Sequence, residues 1–196
     1  LVNTDETGGA RLVDVAAERN IYLNREKMLV LPAQPPRRWF YYLGAGVAVG
    51  AVMALCGVGD QRRTAGRILA AVVWGLWGLL AGVAGLCLVF MWFFTSHRAA
   101  YANENLLTMC PLAIALVVIG PLAVWGKARK IARGLVVALA ALSLLAVVAK
   151  VLPWFRQDNW RFIALSAPAH LGLLVGVWLR TRDIWDAQRV QREFRR

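Results

Sequence analysis

The chain has 196 residues, of which 59% are hydrophobic and only 17% charged, with nine Trp and a mean hydropathy of +0.53. A soluble domain of this size cannot hide that much apolar surface in one core, so composition places the chain among integral membrane proteins. The net charge of +12 does not point to a nucleic-acid partner: Lys and Arg cluster beside apolar runs, where membrane topology puts them, and no nucleic-acid motif accompanies them.

Residues 1–38 are mixed in character. Short alternating patches and a Gly8-Gly9 turn signal suit a hairpin as well as an unstructured tail, and the segment is too small to build its own core. Pro32, Pro35 and Pro36 then make a stiff linker leading to Arg37-Arg38 at the membrane surface. The chain begins at Leu1 without Met, and its first apolar run starts only after Arg38, too late and too long for a secretory signal peptide. The expectation is a C-terminal part of a longer protein, with residues 1–38 as the extracytoplasmic end of an exported domain.

Five apolar runs follow, near 39–59, 68–94, 106–125, 134–152 and 162–180. Each approaches the roughly 20 residues that cross a hydrocarbon core of about 30 Å. The expected fold is therefore an all-α bundle of five membrane helices over 39–180, followed by a basic tail, 181–196. The second run is longer than it needs to be and ends in an aromatic cluster, Phe90-Met91-Trp92-Phe93-Phe94. With five spans, the 60–67 loop, the 126–133 loop and the tail share one side and carry thirteen Lys and Arg. The two opposite loops carry three, Arg98, Arg156 and Arg161. The positive-inside rule then puts the C-terminus in the cytoplasm and the N-terminus outside, with Arg37 and Arg38 as the residues that argue otherwise.

Gly46 and Gly50, Gly78 and Gly82, and Gly172 and Gly176 have the Gly-x-x-x-Gly spacing that lets helix backbones approach closely. This supports a compact bundle and does not by itself indicate a dimer. Cys56, Cys87 and Cys110 lie within apolar runs at spacings that fit neither a disulfide frame nor a zinc site, so they read as small packing residues. Cys110, beside a polar stretch, is the one that a nucleophile reading would single out. The tail TRDIWDAQRVQREFRR reads either as an amphipathic helix, with Arg residues facing anionic headgroups, or as a solvated tail.

Polar chemistry is confined to two loops. His97, Arg98, Tyr101, Asn103, Glu104 and Asn105 fall within nine residues, and Arg156, Gln157, Asp158, Asn159 and Arg161 form the second patch. The orientation opens both on the outer face. His170 lies about 12 Å down the fifth span, at 1.5 Å per residue. An imidazole at that depth needs the bundle interior or a wet cavity. Pro168 frees the carbonyl of Ala164, a local acceptor for the imidazole or a water. Three readings fit His97 and His170. They tie loop to helix; or they belong to a surface that docks an exported domain or binds headgroups, with Arg98, Arg156 and Arg161 meeting phosphate; or they form a metal or acid–base site with Glu104 and Asp158. No HExxH-type spacing backs the last reading, and no metal or cofactor is expected.

At these residues a resemblance enters. His97, Asn103-Glu104-Asn105-Leu106-Leu107 and Pro111-Leu112 resemble the outer end of a helix pair in Lnb-like membrane proteins, the lipoprotein N-acyltransferase domain family. Gln157-Asp158-Asn159, Phe162-Ile163-Ala164-Leu165, Pro168 and His170-Leu171 are similar to the last membrane helix of that family. Leu29-Val30-Leu31-Pro32-Ala33 is similar to the exit from its extracytoplasmic domain. The resemblance implies a papain-like extracytoplasmic domain ahead of the membrane helices and an activity that moves an acyl chain within bacterial lipoproteins. The Cys and His held to do that chemistry belong to the extracytoplasmic domain, so no catalytic residue is carried over here.

The expected function is thus a membrane anchor that positions an exported domain, in a bacterial cytoplasmic membrane. Its partners would be membrane lipids, the chain's own exported domain and lipoproteins, without nucleic acid. The docking or headgroup candidates are His97, Arg98, Asn103, Glu104, Asn105, Asp158, Asn159, Arg161 and His170. The alternative is a stand-alone scaffold or transporter subunit. Against transport, the spans hold one clear buried ionisable residue, His170, with Lys150 near an end and able to snorkel.

Overall fold

The computed structural model describes residues 38–58, 63–95, 103–155 and 157–193, with side chains described as far as Arg182. The hairpin and linker expectations for 1–37, and the amphipathic face of the tail, lie outside the described residues.

All regular structure among the described residues is helical. α1 is Trp39–Val58, α2 Thr64–Phe94, α3 Leu116–Val124, α4 Arg129–Ala149 and α5 Trp160–Glu193. Five stretches are long and apolar enough to cross a membrane: Trp39–Val58, Thr64–Phe94, Glu104–Val124, Arg129–Ala149 and Trp160–Arg182. α5 does not stop at 180. It continues without a break through Glu193, a helix about 51 Å long at 1.5 Å per residue.

Small residues set the packing. On α1 the buried positions Gly46, Gly50, Met53 and Gly57 repeat at helical spacing and make one stripe. That stripe lies against α5 with both chains running in the same direction. A Cβ on Gly46 would sit 2.5 Å from the Leu165 carbonyl oxygen, and one on Gly172 would collide with the backbone of Gly50. A second seam joins α2 to the third span, where a Cβ on Gly78 would lie 2.6 Å from the Ala113 carbonyl oxygen and one on Gly82 would meet Ile114. All three Gly-x-x-x-Gly pairs are therefore spent inside one chain, with backbones in van der Waals contact. Trp74, fully buried on α2, donates its indole N–H to the Met53 carbonyl at 3.2 Å and so ties α2 to α1. The outer surfaces of the helices are apolar, with Leu55, Leu80, Leu145 and Val148 all exposed, as a lipid solvent requires.

The third span departs from the sequence expectation of one helix over 106–125. It begins as two 3-10 turns, Glu104–Leu107 and Pro111–Ala115, and is α-helical only over nine residues. Those nine rise about 14 Å, and the 3-10 turns, at about 2 Å per residue, supply the remaining length. Pro111 opens the second turn, where its missing N–H costs nothing. Irregular backbone at membrane depth survives only when protein covers it. Here Thr108, Met109 and Cys110 are buried, and Gly85 of α2 leaves room for the carbonyl of Met109.

The turn from α3 to α4 uses two left-handed residues, Gly126 at φ 84° and Ala128 at φ 50°. Glycine adopts that backbone freely, whereas Ala128 is strained there. α4 then starts at Arg129, earlier than the apolar run indicates. Its buried face, Ala132, Val136, Leu139, Ser143 and Ala146, again repeats at helical spacing.

Candidate functional site

At the end of the bundle that gathers the start of α1, the end of α2, the first 3-10 turn, the end of α4 and the start of α5, one polar cluster is assembled. Asn103 precedes the 3-10 turn and its side-chain oxygen accepts the Asn105 N–H at 3.0 Å, a cap on an otherwise unsatisfied donor. The cap presents Glu104 to the loop before α5. There the Glu104 N–H donates to Gln157 Oε1 at 3.0 Å, and the Gln157 N–H donates to Glu104 Oε1 at 3.1 Å. Each residue's side chain thus satisfies the other's backbone. Lys150, just past α4, completes the clamp: its ammonium pairs with Glu104 Oε2 and donates to the Gln157 carbonyl at 2.6 Å. The Lys150 and Glu104 side chains are only 6% and 8% exposed. Lys150 therefore does not snorkel to the surface, because a buried carboxylate two loops away holds it.

The clamp brings together Glu104 from the first sequence patch and Gln157 from the second. Asn159 is not on an open surface. It is 2% exposed and serves α5 as its first turn's acceptor, taking the Ile163 N–H at 3.1 Å on its carbonyl. Its side-chain amide has no hydrogen-bond partner among the described residues, and neither does Asn105 Oδ1. Asp158 and Arg161 are exposed. His97, Arg98, Tyr101 and Arg156 lie outside the described residues.

His170 lies in the interior and not with the loop patches. It is fully buried, its Nδ1 is 2.6 Å from Ser143 Oγ on α4, and its ring meets Trp77 of α2 edge-on at 5.7 Å between centroids. The freed Ala164 carbonyl does not orient the imidazole, because it packs against the bare Cα of Gly46. His170 Nε2 and Trp77 Nε1 carry no hydrogen bond among the described residues. Ser143 and His170 therefore act as polar glue across α4 and α5. As the only hydroxyl in the Arg129–Ala149 helix, Ser143 is the signal that sequence reading passed over. Among the described residues no group of three His, Cys, Asp or Glu is placed to hold a metal ion.

The cysteines separate by position. Cys56 and Cys110 are buried, whereas Cys87 is exposed on the apolar surface and does not pack between helices.

At the opposite, Arg-rich end, Arg180 is 1% exposed and donates through Nη1 to the Cys56 carbonyl at 3.2 Å. That carbonyl belongs to the last turn of α1, where a cation satisfies both the free acceptors and the helix dipole. Arg133 donates through Nε to Thr181 Oγ1 at 2.7 Å, and its guanidinium lies 4.9 Å from the centre of the Trp178 ring.

A sequence model of the Lnb transmembrane domain matches residues 43–166, more than half of the chain. The chain belongs to the Lnb transmembrane domain family. The match takes in the Asn103–Asn105 and Gln157–Asn159 loops of this Lnb domain and all of the clamp, whereas Pro168 and His170 lie beyond it. No curated protein and no solved structure matches the chain.

Proposed function

We propose that this Lnb transmembrane domain anchors an exported catalytic domain in a bacterial cytoplasmic membrane and holds it over the outer leaflet, where the acyl chains of lipoproteins lie. The observation that carries the reading is the Glu104–Lys150–Gln157 clamp. It locks the start of the third span to the loop between α4 and α5, making one end of the bundle a stiff platform. A rigid platform suits an enzyme that must meet a membrane-bound substrate in a fixed orientation, because misplacement by about 1 Å costs rate.

The balance of thirteen Lys and Arg against three supports placing the clamped end outside and the C-terminus in the cytoplasm. Exposed aromatic residues ring the clamped end, among them Trp39, Tyr41, Phe94, Trp154 and Trp160, as at a membrane–water boundary. Asp158, Arg161 and Arg38 are exposed charged groups there, available to the exported domain or to headgroups. In the family that the sequence resembles, acyl transfer belongs to the extracytoplasmic domain. No catalytic role falls to a residue of this bundle.

In the full-length protein, Asn103→Ala and His97→Ala are expected to lower acyl-transfer activity several-fold while leaving the amount of protein in the membrane fraction unchanged. Wild-type activity in both variants would overturn the proposal.

A further inference from the structure

The clamped end holds two carboxylates, Glu104 and Asp158. Every described Lys and Arg other than Arg38, Lys150 and Arg161 falls at the opposite end, ten in all, against Asp183, Asp186 and Glu193 on the continuation of α5. Within that end Arg129 and Arg133 are one helical turn apart on α4. Side chains four residues apart on a helix are neighbours, and two like charges so placed repel each other unless an anion sits between them.

The two guanidinium groups are held differently. Arg133 is fixed to α5 by its Nε bond to Thr181 and its contact with the Trp178 ring. Those contacts use Nε and the face of the group, and leave its two Nη groups with no hydrogen bond among the described residues. Arg129 lies over Gly126 in the α3–α4 turn, so closely that a Cβ there would collide with Nη2. Its Nε is buried with no partner among the described residues. A pre-positioned fork and a buried unused donor are what a phosphate oxygen pair requires.

The surroundings choose the source of that phosphate. Trp178 is 45% exposed beside Arg133, and Val137, one helical turn further along α4 from Arg133, is exposed on the apolar surface of the bundle. A half-exposed indole marks the headgroup level, and an apolar helix surface below it accommodates an acyl chain. We propose that Arg129 and Arg133 bind the phosphate of an anionic phospholipid, seated between α4 and α5 beside Trp178. The site is independent of the anchor reading, because it needs only a leaflet that contains such a lipid.

The test uses the full-length protein in mild detergent micelles doped with phosphatidylglycerol or with phosphatidylcholine, read by thermal melting and by native mass spectrometry of retained lipid. Phosphatidylglycerol is expected to raise the melting temperature and to be retained, and phosphatidylcholine is not. Arg133→Gln removes charge-assisted hydrogen bonds to the phosphate and is expected to weaken the apparent phosphatidylglycerol affinity about tenfold. Each variant is compared with itself in phosphatidylcholine, so a general loss of stability cancels. If Arg133→Gln does not fold, Arg129→Gln, which keeps the Thr181 and Trp178 contacts, supplies the reading, with the same direction of change. Equal effects of the two lipids, an equal effect of inorganic phosphate, or unchanged phosphatidylglycerol affinity in the variants would each overturn the proposal.

Discussion

Removing Glu104's charge by Glu104→Gln tests the clamp at its centre. The change keeps the shape and leaves an oxygen for the Gln157 N–H, but strands the Lys150 ammonium with the Gln157 carbonyl as its one remaining acceptor in the clamp. Both charges are nearly inaccessible, so solvent screening does not rescue the survivor. Breaking a buried pair from one side costs about 3–5 kcal/mol, whereas removing both charges is far cheaper. Glu104→Gln and Lys150→Met should each destabilise by about 3 kcal/mol. The double variant should cost at least about 2 kcal/mol less than the two single costs combined. Reversible unfolding of the purified protein in detergent, followed by Trp fluorescence, gives all four corners of the cycle. Single costs below about 1 kcal/mol with no coupling would mean a screened surface pair, and the clamp reasoning would fail.

The other expectations concern packing and backbone. Gly172→Leu should abolish the α1–α5 seam, seen as loss of folded protein by size-exclusion chromatography in detergent, because its Cβ meets the Gly50 backbone. Gly44→Ala, with nothing within 4 Å of the added Cβ, should be neutral or stabilise by up to about 1 kcal/mol. Ser143→Ala should cost about 1 kcal/mol in the same unfolding assay by leaving His170 Nδ1 buried without its partner, while the protein still inserts in the membrane. Ala128→Gly should raise stability by about 1 kcal/mol, because the left-handed conformation at φ 50° no longer strains a side chain.

Much of this fold was legible in the sequence because lipid leaves a chain few options. A run of about 20 apolar residues must be helical, and five such runs make five spans. The Gly-x-x-x-Gly pairs marked close approach, although the sequence did not say which helix each would meet. The unwinding of the third span was hidden, because Pro111 is compatible with a helix start and hydropathy is blind to 3-10 turns. At the polar end, Glu104 and Gln157 stood out as unusual residues, but their pairing with Lys150 depends on two loops meeting in space. Lys150 near a span end looked like a residue free to reach water. His170 stood out by depth alone, whereas its partners Ser143 and Trp77 sit on other helices, where no spacing rule connects them.

The central claim is that the clamped end faces the outside and the Arg-rich end the cytoplasm, so that the clamp is the platform for an exported domain. Labelling with a membrane-impermeant maleimide on intact cells tests it most directly, in a background with Cys56, Cys87 and Cys110 replaced by Ala. Asp158→Cys, exposed at the clamped end, should label before permeabilisation, and Lys127→Cys, exposed in the α3–α4 turn, only afterwards. The reverse pattern would invert the bundle and contradict the account.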